Sequence, residues 1–167
     1  MSIIPEVKEA LGVFNESGFA SAAADAKWGG MQLPHVVPML GDAGAHVGFF
    51  TDTDSPTVLL SELTRKQGVY SLPEAIHRIT GKSADIIGLK ERGELREGWH
   101  ADINVIDYEN LHTCHPEYVN DFPHGGGRFI VKSQGYDATI VAGQVVVQNG
   151  VHTGNRPGEV IRNFVRG

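Results

Sequence analysis

An α+β fold, helical at first and β-rich after about residue 93, is what the order of hydrophobic patterns predicts. Two observations carry it. Between residues 55 and 88 apolar side chains recur at helical spacing behind capping residues. After Gly88 the period changes to two, and short apolar runs are separated by Ala-Gly and Asn-Gly pairs of the kind that turn a hairpin.

The elements follow in order. Pro5 to Phe14 sets Val7, Ala10, Leu11 and Phe14 on one helical face, with Pro5 in the first turn. Residues 15–30, NESGFASAAADAKWGG, are small and polar and read as a loop or a weak helix. Val36 to Leu40 is a short apolar run that suits a buried strand, although Pro38 has no N–H for a sheet ladder. The glycines of GDAGAHVG then demand a tight turn. Ser55 is the expected N-cap of the next helix, with Pro56 in its first turn and Leu59, Leu60 and Leu63 on its apolar face. Ser71 and Glu74 form a capping box around Pro73, ahead of Leu72, Ala75, Ile76 and Ile79, with Gly81 as the stop. Ser83 is the expected cap of a last short helix ending at Gly88. Strands are then expected at Ile103 to Ile106 and Phe129 to Lys132, and at Asp137 to Val141 and Gln144 to Gln148 around Ala142-Gly143. Asn149-Gly150 marks a further turn.

Composition bounds the function. The 167 residues are enough for a single core, and 41% apolar with 20% charged residues is ordinary for a soluble globular protein. A net charge of -6 without Lys/Arg runs argues against nucleic acid or a membrane surface as partner. No apolar run approaches the ~18 residues of a membrane-spanning helix. MSIIPEVKEALG lacks the basic and apolar regions of a signal peptide. The single cysteine, Cys114, rules out an intrachain disulfide and fits a reducing, cytoplasmic setting. The 21 glycines scatter through turns and form no repeat.

Candidate chemistry centres on Asp42. It follows an apolar run and precedes Gly44, so it reads either as a carboxylate exposed at the end of a strand or as the residue opening a Gly-rich turn. His46, in the same loop, reads as a substrate or metal contact or as a histidine bonded to backbone. Asp52 and Asp54 read as turn and cap residues, and His77 and His100 as structural or exposed. His112, Cys114 and His115 are of types that bind zinc, but no His-x-His pair occurs. The Gly-rich run after His124 lacks the strand-to-helix setting of a phosphate loop.

Three stretches carry a resemblance. They are HVVPMLGDAGAHVGFFTDTDSPTVLL, LPEAIHRITGKSADIIGLKERGELREGWHADINVID and DFPHGGGRFIVKSQGYDATIVAGQVVVQNGVHTGNRPGEVIR. Together they resemble family 3 of the amidohydrolase superfamily, notably the N-acyl-D-amino-acid deacylases (D-aminoacylases), over roughly residues 35 to 163. The G-x-L-x-x-G-x-x-A-D-x-x-V-x-D pattern within the second stretch is characteristic of that superfamily. The resemblance implies a (β/α)8 barrel joined to a β-sandwich built from both ends of the chain. A whole barrel takes about 250 residues. The part implied here is the end of a barrel, one strand with two or three helices, in residues 1–92, followed by part of a β-sandwich in residues 93–167.

The implied reaction is hydrolysis of an N-acyl-D-amino acid, with Asp42 at the position of the family's proton-transferring, metal-binding carboxylate and His46 beside the substrate. Zinc is the implied metal of the complete enzyme. Its remaining ligands have no counterparts here, so the isolated chain is expected to bind none and to be inactive. A complementing N-terminal chain or self-association is the expected partnership. Two alternatives belong to other classes: a non-catalytic β-module serving oligomerisation, and a small complete hydrolase built on Asp42, His46 and His115.

Overall fold

The computed structural model describes residues 31–34, 36–38, 47–49, 51 and 53–162. The expected helix at Pro5–Phe14, the stretch 15–30, Met39 and Leu40, most of the GDAGAHVG turn, Asp42, His46 and Asp52 lie outside these residues. Val36–Pro38 has no regular secondary structure.

The first helix, α1 (Ser55–Val58), continues as a π-helix over Leu59–Lys66. Its N-cap is Asp54, one residue earlier than expected, and Ser55 is the first helical residue. Proline is tolerated throughout a first turn because those N–H groups have no intrahelical acceptor, so Pro56 does not fix the boundary to one residue. Leu59, Leu60 and Leu63 are buried as the spacing predicts. The π winding was not legible in that spacing. It is closed by the Gln67 N–H on the Glu62 carbonyl at 3.0 Å, five residues back.

Helix α2 (Leu72–Ile79) begins where expected, with the Ser71 side chain accepting the Glu74 N–H at 3.4 Å. The Glu74 carboxylate turns to the Arg78 guanidinium at 2.6 Å. Gly81 does not stop this helix. Thr80 breaks it, with φ -125° and ψ -92°, and Gly81 opens α3 (Gly81–Ile87). A Cβ at Gly81 would lie 3.1 Å from His77 Nδ1, a tight approach to that side chain. Ser83 therefore lies inside α3, and its hydroxyl donates to the Arg78 carbonyl at 2.8 Å. Gly88 ends the helix in the left-handed conformation, φ 75°.

All strand pairs in the second half are antiparallel. Strands β1 (Ile103–Ile106), β6 (Tyr136–Val141), β7 (Gln144–Gln148) and β8 (Val151–His152) form one sheet in the order β1-β6-β7-β8. Strands β2 (His112–Thr113) and β5 (Ser133–Gln134) pair separately, as do β3 (Glu117–Val119) and β4 (Arg128–Ile130). The β6–β7 hairpin forms where Ala142-Gly143 predicts it, with φ of 47° and 76°. Asn149 and Gly150, at 48° and 77°, turn β7 into β8. Positive φ at both central residues matches the right-handed twist of the flanking strands.

One core spans both halves. Leu59, Leu60, Leu63 and Ala75 come from the helices, Tyr70 from the bend between them and Leu111 from the turn before β2, with Ile106, Tyr108 and Tyr136 packed around them. Leu111 is fully buried. Its backbone sits against Gly135, where φ is 95° and a Cβ would meet the Leu111 Cα at 2.7 Å. The Arg65 guanidinium donates to the carbonyls of Tyr108 and Leu111. The Thr57 hydroxyl lies 2.9 Å from both the Ser133 hydroxyl and the Tyr136 hydroxyl. Leu111→Ala should cost about 2–5 kcal/mol of stability, because the cavity opens where both halves meet. Urea unfolding of the variant, at an unchanged slope, measures it.

Candidate catalytic loop and its supports

The structure describes both flanks of the loop that carries Asp42 and His46. Upstream, Met31 to Val36 lies against α2 and the residues before it. The Tyr70 hydroxyl donates to the Met31 carbonyl at 2.6 Å, and the Gln32 side-chain amide to the Val69 carbonyl at 3.0 Å. Downstream, the Val47 carbonyl accepts the Phe129 N–H of β4 at 2.7 Å. The residue next to His46 in the chain is thereby tied to the β3–β4 hairpin.

That hairpin is internally braced. Tyr118 and Phe129 are register partners whose rings meet edge to face at 5.0 Å. Gly127 admits the Tyr118 ring, since a Cβ there would lie 2.3 Å from its hydroxyl. Arg128 grips Asp121 through two hydrogen bonds of 2.8 and 2.7 Å, with its guanidinium 5.2 Å from the Phe122 ring centre. The hydrogen bond from Arg128 holds the Asp121 carboxyl below the usual range and raises Arg128.

The other sequence candidates are dispersed. His112 is exposed, with Nδ1 2.7 Å from the Asn110 carbonyl. Cys114 is a half-buried free thiol, and His115 is exposed. His77, His100 and His124 are exposed too. Among the described residues no group of three His, Cys, Asp or Glu side chains is placed to hold a metal ion, so they do not fit a zinc centre by themselves.

A cavity of about 620 Å³ opens between the helices and the edge of the larger sheet, lined by Leu60, Leu72, Ile76, Ile103, Ile106 and Tyr136. Three of its polar side chains are engaged with neighbours. Glu94 pairs with Arg96, Asp102 with Arg92, and Asn104 accepts from Thr139 at 2.8 Å. Its lining is largely apolar.

The described residues thus form an α+β arrangement in which short helices precede antiparallel sheets. Residues 30–147 match the amidohydrolase family, and the chain belongs to it. It is 40% identical over 106 residues to the N-acyl-D-aspartate deacylase of Alcaligenes xylosoxydans xylosoxydans, covering 63% of this chain and 19% of that protein. It is 34% identical over 96 residues to the dihydroorotase of Endomicrobium trichonymphae, covering 55% and 22% respectively. Among solved structures, a D-aminoacylase mutant in complex with copper chloride superposes with a TM-score of 0.51 at 27% identity, over 65% of this chain and 21% of that one. The chain thus spans about a fifth of the length of the relatives it matches. No described helix is long and apolar enough to cross a membrane.

Sequence reasoning did not single out Arg65, Arg78 or Asp121. The available signal was the i,i+4 spacing of Glu74 and Arg78.

Asp121 has a depressed carboxyl in the folded state, so its contribution to stability is present above the unfolded value of about 3.9 and is lost as pH falls through the lower folded value. Carbon-detected NMR should find Asp121 titrating below ordinary aspartates. Arg128→Met should return it toward the ordinary range.

Proposed function

We propose that this chain is the C-terminal part of a metal-dependent amidohydrolase that cleaves N-acyl-D-amino acids to a carboxylate and a D-amino acid. The 40% identity to an N-acyl-D-aspartate deacylase is the observation that carries it. Residues 1–92 contribute the end of the barrel with its catalytic loop, and residues 93–167 part of a β-sandwich. Asp42 takes the proton of the attacking water and returns it to the leaving nitrogen, which needs a carboxylate within hydrogen-bond reach of both. His46 contacts the substrate. The family's metal, zinc in this reading, supplies an activated water when bound, and most of its ligands come from outside these 167 residues. The chain alone is inactive and works with an N-terminal portion.

A second reading, a non-catalytic module that self-associates, is favoured by one feature. Among the described residues strand β1 has a sheet neighbour on one side only, and Leu72, Ile76, Leu95 and Val105 are exposed.

A chimera tests both. Residues 30–167 replace the matching end of the Alcaligenes deacylase, and hydrolysis of N-acyl-D-aspartate is followed. The chimera should be active, Asp42→Asn should lower kcat by about 10²–10⁴, and the isolated chain should be silent. An inactive, folded chimera, with the isolated chain at twice its 18.0 kDa mass by light scattering, would favour the second reading.

A further inference from the structure

We propose that Arg78 is a positioning residue for the reaction: by collecting the carbonyls of residues 31–36 it fixes the start of the segment that carries Asp42. This rests on the reading of Asp42 given above.

Arg78 lies on α2 and is 4% exposed. Its Nη1 donates to the carbonyls of Met31 at 2.9 Å, Leu33 at 3.1 Å and Val36 at 2.7 Å, and its Nη2 to that of Gln32 at 3.3 Å. Its Nε takes Glu74 at 2.6 Å, and its guanidinium sits 4.9 Å from the Tyr70 ring centre. The four carbonyls all belong to one short stretch. Residues 31–32 are helical and Leu33 bends away, so these acceptors include carbonyls at a helix end that lack intrahelical partners.

Two neighbours act on the same stretch. Lys82 donates to the Pro34 carbonyl and Tyr70 to that of Met31. Burial raises the Tyr70 hydroxyl above its ordinary value.

A charge this deeply buried carries a desolvation cost that an apolar side chain of similar size would not, so stability alone is a weak reason to place it here. What arginine adds is geometry. Its rigid fork sets several acceptors at once, which a lysine's single ammonium cannot reproduce. Val36 lies six residues before Asp42. On the reading of Asp42 given above, fixing this anchor narrows the positions open to the carboxylate, and a misplacement of about 1 Å costs on the order of 100-fold in rate.

Hydrogen–deuterium exchange on the 167-residue chain tests the clamp without using activity. In Arg78→Lys, peptides spanning residues 36–47 should exchange about tenfold faster while those of the β6–β7 hairpin stay unchanged. Tyr70→Phe, which removes one hydroxyl donor, should shift the same peptides by less. Uniform acceleration across the chain, or no change in residues 36–47, overturns the proposal. In the active chimera, Arg78→Lys should lower kcat about 100-fold with KM nearly constant, and unchanged kcat overturns the positioning role. A chimera silent with Arg78 intact, alongside the segment-specific exchange, would instead sink the reading of Asp42 and leave the clamp standing.

Discussion

The burial of Leu111 among the helical leucines is the contact on which the rest of the described structure depends. Without it the helices and the sheet would be two small layers, each with an apolar face toward water. Leu111 enters from the sheet side, Gly135 leaves room for its backbone, and Arg65 fastens the turn by its carbonyls. Around that seam the hydroxyls of Thr57, Ser133 and Tyr136 satisfy one another where polar groups would otherwise be buried unpaired. The seam also sets where α2 lies, and α2 carries the arginine that reaches the stretch 31–36 preceding Asp42.

The parts legible in the sequence are those decided by neighbours in the chain. Ala142-Gly143 and Asn149-Gly150 form turns because two adjacent residues accept positive φ, and Ser71 caps because Glu74 lies three residues on. Leu59, Leu60 and Leu63 are buried because their spacing makes one face. Local rules were weaker at boundaries. Ser55 and Ser83 looked like caps and are helical, and Gly81 looked like a stop and is a start. In each case a tertiary contact or a neighbouring residue decided the position. Leu111, Arg65 and Arg78 were opaque because their partners lie 36 to 52 positions away in the chain, or in carbonyls that have no sequence signature. Asp42 and His46 rest on family resemblance, since a carboxylate before a Gly-rich turn has several uses.

The division of labour follows from chemistry. A proton-transferring carboxylate is useful only beside an activated water, and a tetrahedral metal that activates water needs about three protein ligands converging on one point. The described residues form no such set, and the chain spans about a fifth of its relatives. The chain belongs to the amidohydrolase family, and in the proposed reading these residues are one part of a larger catalytic unit.

Metal analysis of the purified 167-residue chain, after gel filtration in the presence of zinc, tests that division most directly. The expected result is far less than one zinc per chain. One or more firmly held zinc ions per chain, accompanied by hydrolysis of an acylated amino acid, would contradict it.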